Sequence, residues 1–276
     1  MSESRESSEG AFGATRNWSR EQTLLAFQFY CETPFGQLHK GNKQIIELAG
    51  LIGRTPDALA MKCSNFASLD PAIRGSGRSG LKNASVLDRK VWDEFHTNWN
   101  DLVEECDALR NQLLAKSGYP ELLEEELPYI EPDFTGEVRV ALGKYRVKQG
   151  FFRRSILGSY GGKCCISGVR DESFLVASHI VPWHEDPSIR LHPGNGLCLS
   201  AIHDKAFDNH LFSLSDDFRV VLSTRLKATS DQFLRDVFWP VEDQQISLPE
   251  KFAPDPQFIA RHRAHMNGGI ASEIPR

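Results

Sequence analysis

Between Ala177 and Asp208 the chain reads ASHIVPWHEDPSIRLHPGNGLCLSAIHDKAFD, which gathers four of its nine histidines with one asparagine and three aspartates. Such a set could hydrolyse a phosphodiester near neutral pH. That reaction needs a base for the attacking water and a cation for the charge growing on the phosphoryl and leaving oxygens. His179 ends a short apolar strand, FLVASHI, Asn195 opens a second, NGLCLS, and His203 enters a short helix, AIHDKAFDNH. A strand-loop-strand-helix hairpin returns the end of the first strand to the start of the helix, so His179 and His203 can share one cation. A neutral imidazole at His179 would keep one nitrogen for water if a backbone carbonyl held its other N–H. His184, His192 and His210 read as surface or hydrogen-bonded histidines, and Trp183 as a packing anchor.

Elements on both sides must position these residues. Upstream, VRVALGKYRVKQGFFRRSILGSYGGKCCISG reads as a basic helix entering a glycine turn; downstream, LFSLSDDFRVVLS reads as a hairpin and PDPQFIARHRAHM as a closing helix. The N-terminal part is helical. Ser19 and Gln22 form a capping box ahead of Leu24, Leu25, Phe27 and Phe29, and a helix ending at Gly53 is followed by one with Thr55 as N-cap and Pro56 at its first position. That rhythm is helix-turn-helix-like, with Leu59, Cys63 and Phe66 facing inward and Lys62 and Asn65 turned outward to read a DNA groove. The stretch RGSGRSGLKNAS is a basic, glycine-rich loop carrying Arg78 and Lys82. After it, Leu87, Val91, Phe95, Trp99, Leu102, Cys106, Leu109 and Leu113 recur at helical spacing, the stripe of one helix about 40 Å long at 1.5 Å per residue. The stripe packs either on the chain's own modules or as the seam of a homodimer.

Charge is segregated along the chain. The net charge of −5 averages a local +5 over residues 14–90, a local −11 over 91–138 and a local +7 over 139–165. The two basic segments supply Arg54, Lys62, Asn65, Arg78, Lys82, Arg146, Lys148, Arg153 and Arg154 as candidate DNA contacts, because phosphates attract cations locally, within roughly a Debye length of about 8 Å. No run of 18 apolar residues argues for a membrane span, MSESRESSEG is too polar for a signal peptide, and the scattered cysteines read as reduced thiols, so a cytoplasmic location is expected.

The residues SHIVPW, NGLCLS and HDKAFD, with RVKQGFFRRSILGSYGGKCCISG upstream, resemble the HNH or ββα-metal endonucleases, and among them the bacterial restriction-type branch. The resemblance spans Val138 to about Arg263, and the front half of such nucleases is similar to the segment from WSREQTLLAF to NFASLDP. Joined to the local readings above, it gives an α+β chain: a disordered N-terminus at 1–15, a helix-turn-helix-like all-α module at 16–75, a basic loop and long acidic helical connector at 76–135, the ββα-metal HNH domain that the resemblance implies at 136–245, and a closing helix and tail at 246–276. The resemblance further implies a metal-dependent endonuclease acting on double-stranded DNA, with His179 as general base, Asn195 fixing the loop that carries it and His203 as metal ligand. Arg190, just before Asn195, is the candidate phosphate clamp.

Two departures bear on the metal. Ser178, whose hydroxyl is a weak ligand, stands where many members have an aspartate, so the cation is held by His203 either with waters and substrate phosphate or with Asp208, Asn195 or His184 as second ligand; Asp208 lies about 140° around the helix from His203. A sparse oxygen site of this kind suits Mg2+, with Mn2+ or Zn2+ as alternatives. The zinc knuckle of many relatives is absent, since Ser200 and Ile202 replace cysteines. A DNA-binding regulator with a degenerate HNH domain, and a nuclease acting on RNA or single strands, are the competing functions.

Overall fold

The computed structural model describes residues 17–75, 83–117 and 136–267. Arg78, Lys82, the expected N-terminal disorder and the centre of the acidic run lie outside them. The chain divides into two compact units whose boundary falls between Phe151 and Phe152.

The first unit is helical. Helix α1 (Arg20–Glu32) starts at the capping box, where Ser19 Oγ accepts from the Gln22 N–H at 3.2 Å and Gln22 Oε1 accepts from the Ser19 N–H at 3.1 Å. Its buried residues cover almost every face, as expected of a helix surrounded by partners. Those partners are α2 (Lys43–Leu51), α3 (Pro56–Ala67), α4 (Pro71–Gly75), α5 (Val86–Thr97) and α6 (Trp99–Ser117). Phe27 of α1 is the hub, its ring centroid 4.8 Å from Phe66 and 4.7 Å from Phe95. Gly53, at φ +68°, reverses the chain between α2 and α3 in a conformation that only glycine adopts cheaply.

The stripe after Leu87 is two helices, not one. Asn98 ends α5 at φ −150° and then starts α6: its Oδ1 accepts from the Asp101 N–H and its Nδ2 donates to Asp101 Oδ2. Val91, Phe95, Trp99, Leu102, Cys106 and Leu113 are buried, so at these positions the stripe is internal packing, whereas Leu87 and Leu109 are half-buried.

Lys62 also differs from expectation. It is 5 % exposed, its Nζ 2.5 Å from Asp88 Oδ1 at the start of α5 and 4.6 Å from the Trp18 ring centroid. It faces away from α1, but α5 and Trp18 cover that side, so it cannot read a groove.

Helix α7 (Gly136–Ser159) crosses the boundary between the units. In the second unit, β1 (Leu175–His179) pairs antiparallel with β2 (Gly196–Ser200), His179 opposite Gly196, and α8 (Ala201–Asp208) packs on both strands. A second hairpin, β3 (Phe212–Leu214) and β4 (Val220–Leu222), follows, then α9 (Thr224–Lys227), α10 (Gln232–Phe238) and α11 (Pro256–Asn267), the last packed on β3. The core of this unit is built from Ile156, Leu197, Leu199, Phe207, Phe212 and Phe238, all essentially inaccessible. The result is a mixed helical and small-sheet protein. Among the described residues no helix is long and apolar enough to cross a membrane.

Candidate functional site

His179 leaves β1 with its ring fixed on three sides. Nε2 donates to the Arg190 carbonyl at 2.9 Å, the Phe152 ring lies parallel to it at 3.8 Å with 8° between the planes, and Trp183 presents an edge at 5.3 Å. Because a carbonyl can only accept, Nε2 carries the proton and Nδ1 keeps its lone pair in the neutral ring. Burial lowers the imidazole pKa to about 4, against a smaller opposing effect of the Arg190 carbonyl, so the ring is neutral at pH 7. A neutral histidine with a free nitrogen is a proton acceptor.

Asn195 ties down the loop that follows. Fully buried, it accepts from the Val181 N–H at 2.8 Å through Oδ1 and donates to the Val181 carbonyl at 3.1 Å through Nδ2, while its own carbonyl accepts from Ile180 at 2.9 Å. The side chain thus acts as a strand partner for a segment that has left the sheet. Arg190 sits in the same loop, its guanidinium 5.1 Å over the Trp183 ring that borders His179. The geometry brings His179, Asn195 and Arg190 into one cluster.

His203 does not join it. The side chain is 3 % exposed, Nδ1 is 2.7 Å from Ser200 Oγ, the Phe238 ring stands edge-on at 5.4 Å, and the buried Nε2 has no hydrogen-bond partner of ordinary geometry. Its neighbour there is Cys164. Burial would raise that thiol, but His203 and the N–H groups of Ser167 and Ile166 outweigh it and bring the thiol to about 6. His203 is therefore buried in the core beside Ser200, Cys164 and Phe238.

Asp204, which motif spacing alone does not single out, faces the other way. Successive helical residues differ by about 100°, so turning His203 inward turns Asp204 out toward β1. Burial raises its carboxyl above the usual range, partly offset by the Ser178 hydroxyl and by Lys205. Asp208 lies one turn on, at i+4, and is raised by burial and by the charge of Asp204. The Ser178 hydroxyl is buried without a hydrogen bond of ordinary geometry. Two like carboxylates on one helix face, Asp204 half-buried against the buried Ser178 hydroxyl and Asp208 exposed one turn beyond, are a donor set that a hard divalent cation fits. Among the described residues no three His, Cys, Asp or Glu side chains are arranged to hold a metal ion, so a cation here would complete its shell with water and substrate oxygens. The signal for Asp204 was the i, i+4 pairing with Asp208.

The other sequence candidates are dispersed. His184 is exposed in the loop, and His192 uses Nδ1 to accept from the Gly194 N–H. Arg54 donates to Gln22 Oε1 and to the Asn17 carbonyl and lies over Trp18; Lys148 pairs with Glu104 at 2.6 Å; Arg153 donates to the Leu175 and Glu172 carbonyls. Arg146 is exposed, whereas Asn65 and Arg154 are half-buried.

Comparison with curated proteins returns no match. The family model for HNH endonuclease matches residues 164–215, a span that contains β1, β2, α8, His179, Asn195 and the Asp204–Asp208 face, so the C-terminal region carries an HNH endonuclease domain.

Proposed function

We propose that the protein is a metal-dependent nuclease that hydrolyses phosphodiester bonds in double-stranded DNA, a restriction-type enzyme of the cytoplasm whose helical unit contributes DNA recognition. The observation that carries this reading is the state of His179: neutral, oriented through Nε2 and free at Nδ1. His179 Nδ1 takes a proton from water as the water oxygen bonds to phosphorus. The P–O bond to the leaving oxygen breaks, that oxygen takes a proton from a second water, and His179 Nδ1 returns its own proton to the hydroxide so formed, giving a phosphate monoester and a hydroxyl. Asn195 keeps the loop in register, and Arg190 holds a non-bridging phosphate oxygen from its seat on Trp183. Asp204 and Asp208, with Ser178 beside them, would hold the cation, Mg2+ before Mn2+ or Zn2+. That cation supplies positive charge for the non-bridging and leaving oxygens.

In the helical unit, the turn at Gly53 and the exposed Met61 of α3 support recognition through the α2–α3 segment. A second reading, a DNA-binding regulator with an inactive nuclease domain, draws on Ser178 in place of a carboxylate.

The test is plasmid cleavage by the full chain with Mg2+, Mn2+ or EDTA, beside His179→Ala. Cleavage that needs metal and falls at least about a hundredfold in His179→Ala, with DNA affinity retained, is the expected result. Binding with no cleavage under any metal selects the regulator, and cleavage at the wild-type rate in His179→Ala removes the base.

A further inference from the structure

His179 and Gly196 face each other across the β1–β2 ladder, and α7 lies against that pair. Gly196 has φ −138° and ψ 150°, ordinary extended backbone that any residue adopts, so conformational freedom does not explain a glycine there. Clearance does. A Cβ at Gly196 would stand 2.3 Å from Ile156 Cδ1 and 2.8 Å from Phe152 Cζ, distances that real Cβ atoms do not tolerate. The missing side chain lets Phe152 slide across the strand and lay its face on the imidazole, 3.8 Å away and 8° from parallel. Phe152 is 2 % exposed, so its ring is held by packing on its far side as well. The other two contacts do not set the plane of the His179 ring from that direction: the Arg190 carbonyl fixes a point on the ring's edge, and Trp183 meets it edge-on.

We propose that Phe152 is the positioning residue for the His179 base, and that Gly196 is the clearance that admits it. This rests on the assignment of His179 as base. A single hydrogen bond at Nε2 leaves the imidazole free to rock about that bond, which would swing Nδ1 away from the attacking water. A flat ring stacked on one face removes that motion before substrate arrives. An aliphatic side chain of similar volume fills the space without supplying the plane.

The experiment compares wild type, Phe152→Leu, Gly196→Ala, Ile156→Val and His179→Ala in the full chain, reading kcat and KM for plasmid cleavage and the melting temperature. Phe152→Leu and Gly196→Ala lower kcat on the order of 10- to 100-fold with KM little changed, as misplacement of a reacting group by about 1 Å does. Ile156→Val, which touches Gly196 from the same helix, keeps kcat. Phe152→Leu added to His179→Ala produces no further loss, because both act through one side chain. In wild type, the His179 ring protons appear upfield in NMR from the ring current of Phe152, a readout that needs no variant to fold. Wild-type kcat in a folded Phe152→Leu, further loss in the double variant, or unshifted His179 protons overturns the proposal. Undiminished cleavage in His179→Ala overturns the assignment of the base instead, so the two failures are distinguishable.

Discussion

His203 and Asp204 are adjacent in the chain and point in opposite directions, and their substitutions separate fold from metal. Asp204→Asn removes a half-buried charge from the face of α8 turned toward β1 and should abolish the rise in melting temperature produced by Mn2+ or Mg2+, a stabilisation that follows from binding to the native state alone. His203→Ala empties a buried site between Ser200, Cys164 and Phe238 and should cost roughly 2–4 kcal/mol in denaturant unfolding, while leaving the metal concentration for half-maximal stabilisation unchanged. The reverse pattern, with His203→Ala shifting the metal titration and Asp204→Asn neutral, would return the ligand to the histidine. At this scale the positions of His179 and Asn195 were legible in the sequence, because each sits where an apolar strand ends or begins. Asp204 was not, since choosing between neighbours on a helix requires knowing which face is inside, and that is set by Phe212 and Phe238 from later in the chain. Phe152 was hidden for the same reason: its contact is 27 residues away.

Strands β1 and β2, α8, the second hairpin and the closing helix could all be read from local pattern, since each carries its own apolar periodicity and turn residues. The break between α5 and α6 could not, because the apolar spacing runs through Asn98 undisturbed and a single capping side chain leaves no mark on a period. Lys62 was misread in a related way, since a helical wheel finds the face turned from α1 but not the second surface that covers it. Helix α11 carries a dependence on pH. His262 stacks on Phe207 at 3.7 Å, donates through Nε2 to the Phe207 carbonyl at 3.0 Å and accepts through Nδ1 from Ser213. Burial, with the nearby His210 and His265, lowers its pKa to about 3. An unfolded histidine titrates near 6.5, so the unfolded chain binds more protons below that value. The contribution of His262 is complete above about pH 6.5 and is lost as the pH falls toward 3. Melting temperature should therefore drop between pH 7.5 and 5, and His262→Gln should flatten that slope without abolishing it, because His179 acts in the same sense. An unchanged slope in His262→Gln would place the acid sensitivity elsewhere.

For the molecule as a whole, a count of cations overstates the surface offered to DNA. Arg20 joins Glu94 and Glu105, Lys62 joins Asp88, Lys148 joins Glu104, and Arg153 is occupied by backbone carbonyls. Each phosphate neutralised contributes about 0.9 to the slope of log K against log salt, so the slope reports cations that reach DNA, not cations present. Arg146→Ala, at an exposed position, should reduce the slope by about 1 in titrations of the full chain. Lys62→Met should leave the slope alone and lower stability by about 3–5 kcal/mol, the effect of stranding Asp88 without its partner. A slope that falls in Lys62→Met while stability holds would mean that the buried pair opens on DNA. The span matched by the family model, 164–215, is smaller than the unit that contains it, and this limits how the domain can be moved. The ring against His179 comes from before that span, and the rings against His203 and Phe207 include Phe238 and His262 from after it. Transplanted alone, the matched segment would keep His179, Asn195 and Asp204 and lose three rings packed against it, so a transplant that preserves the packing begins within α7 and ends with α11.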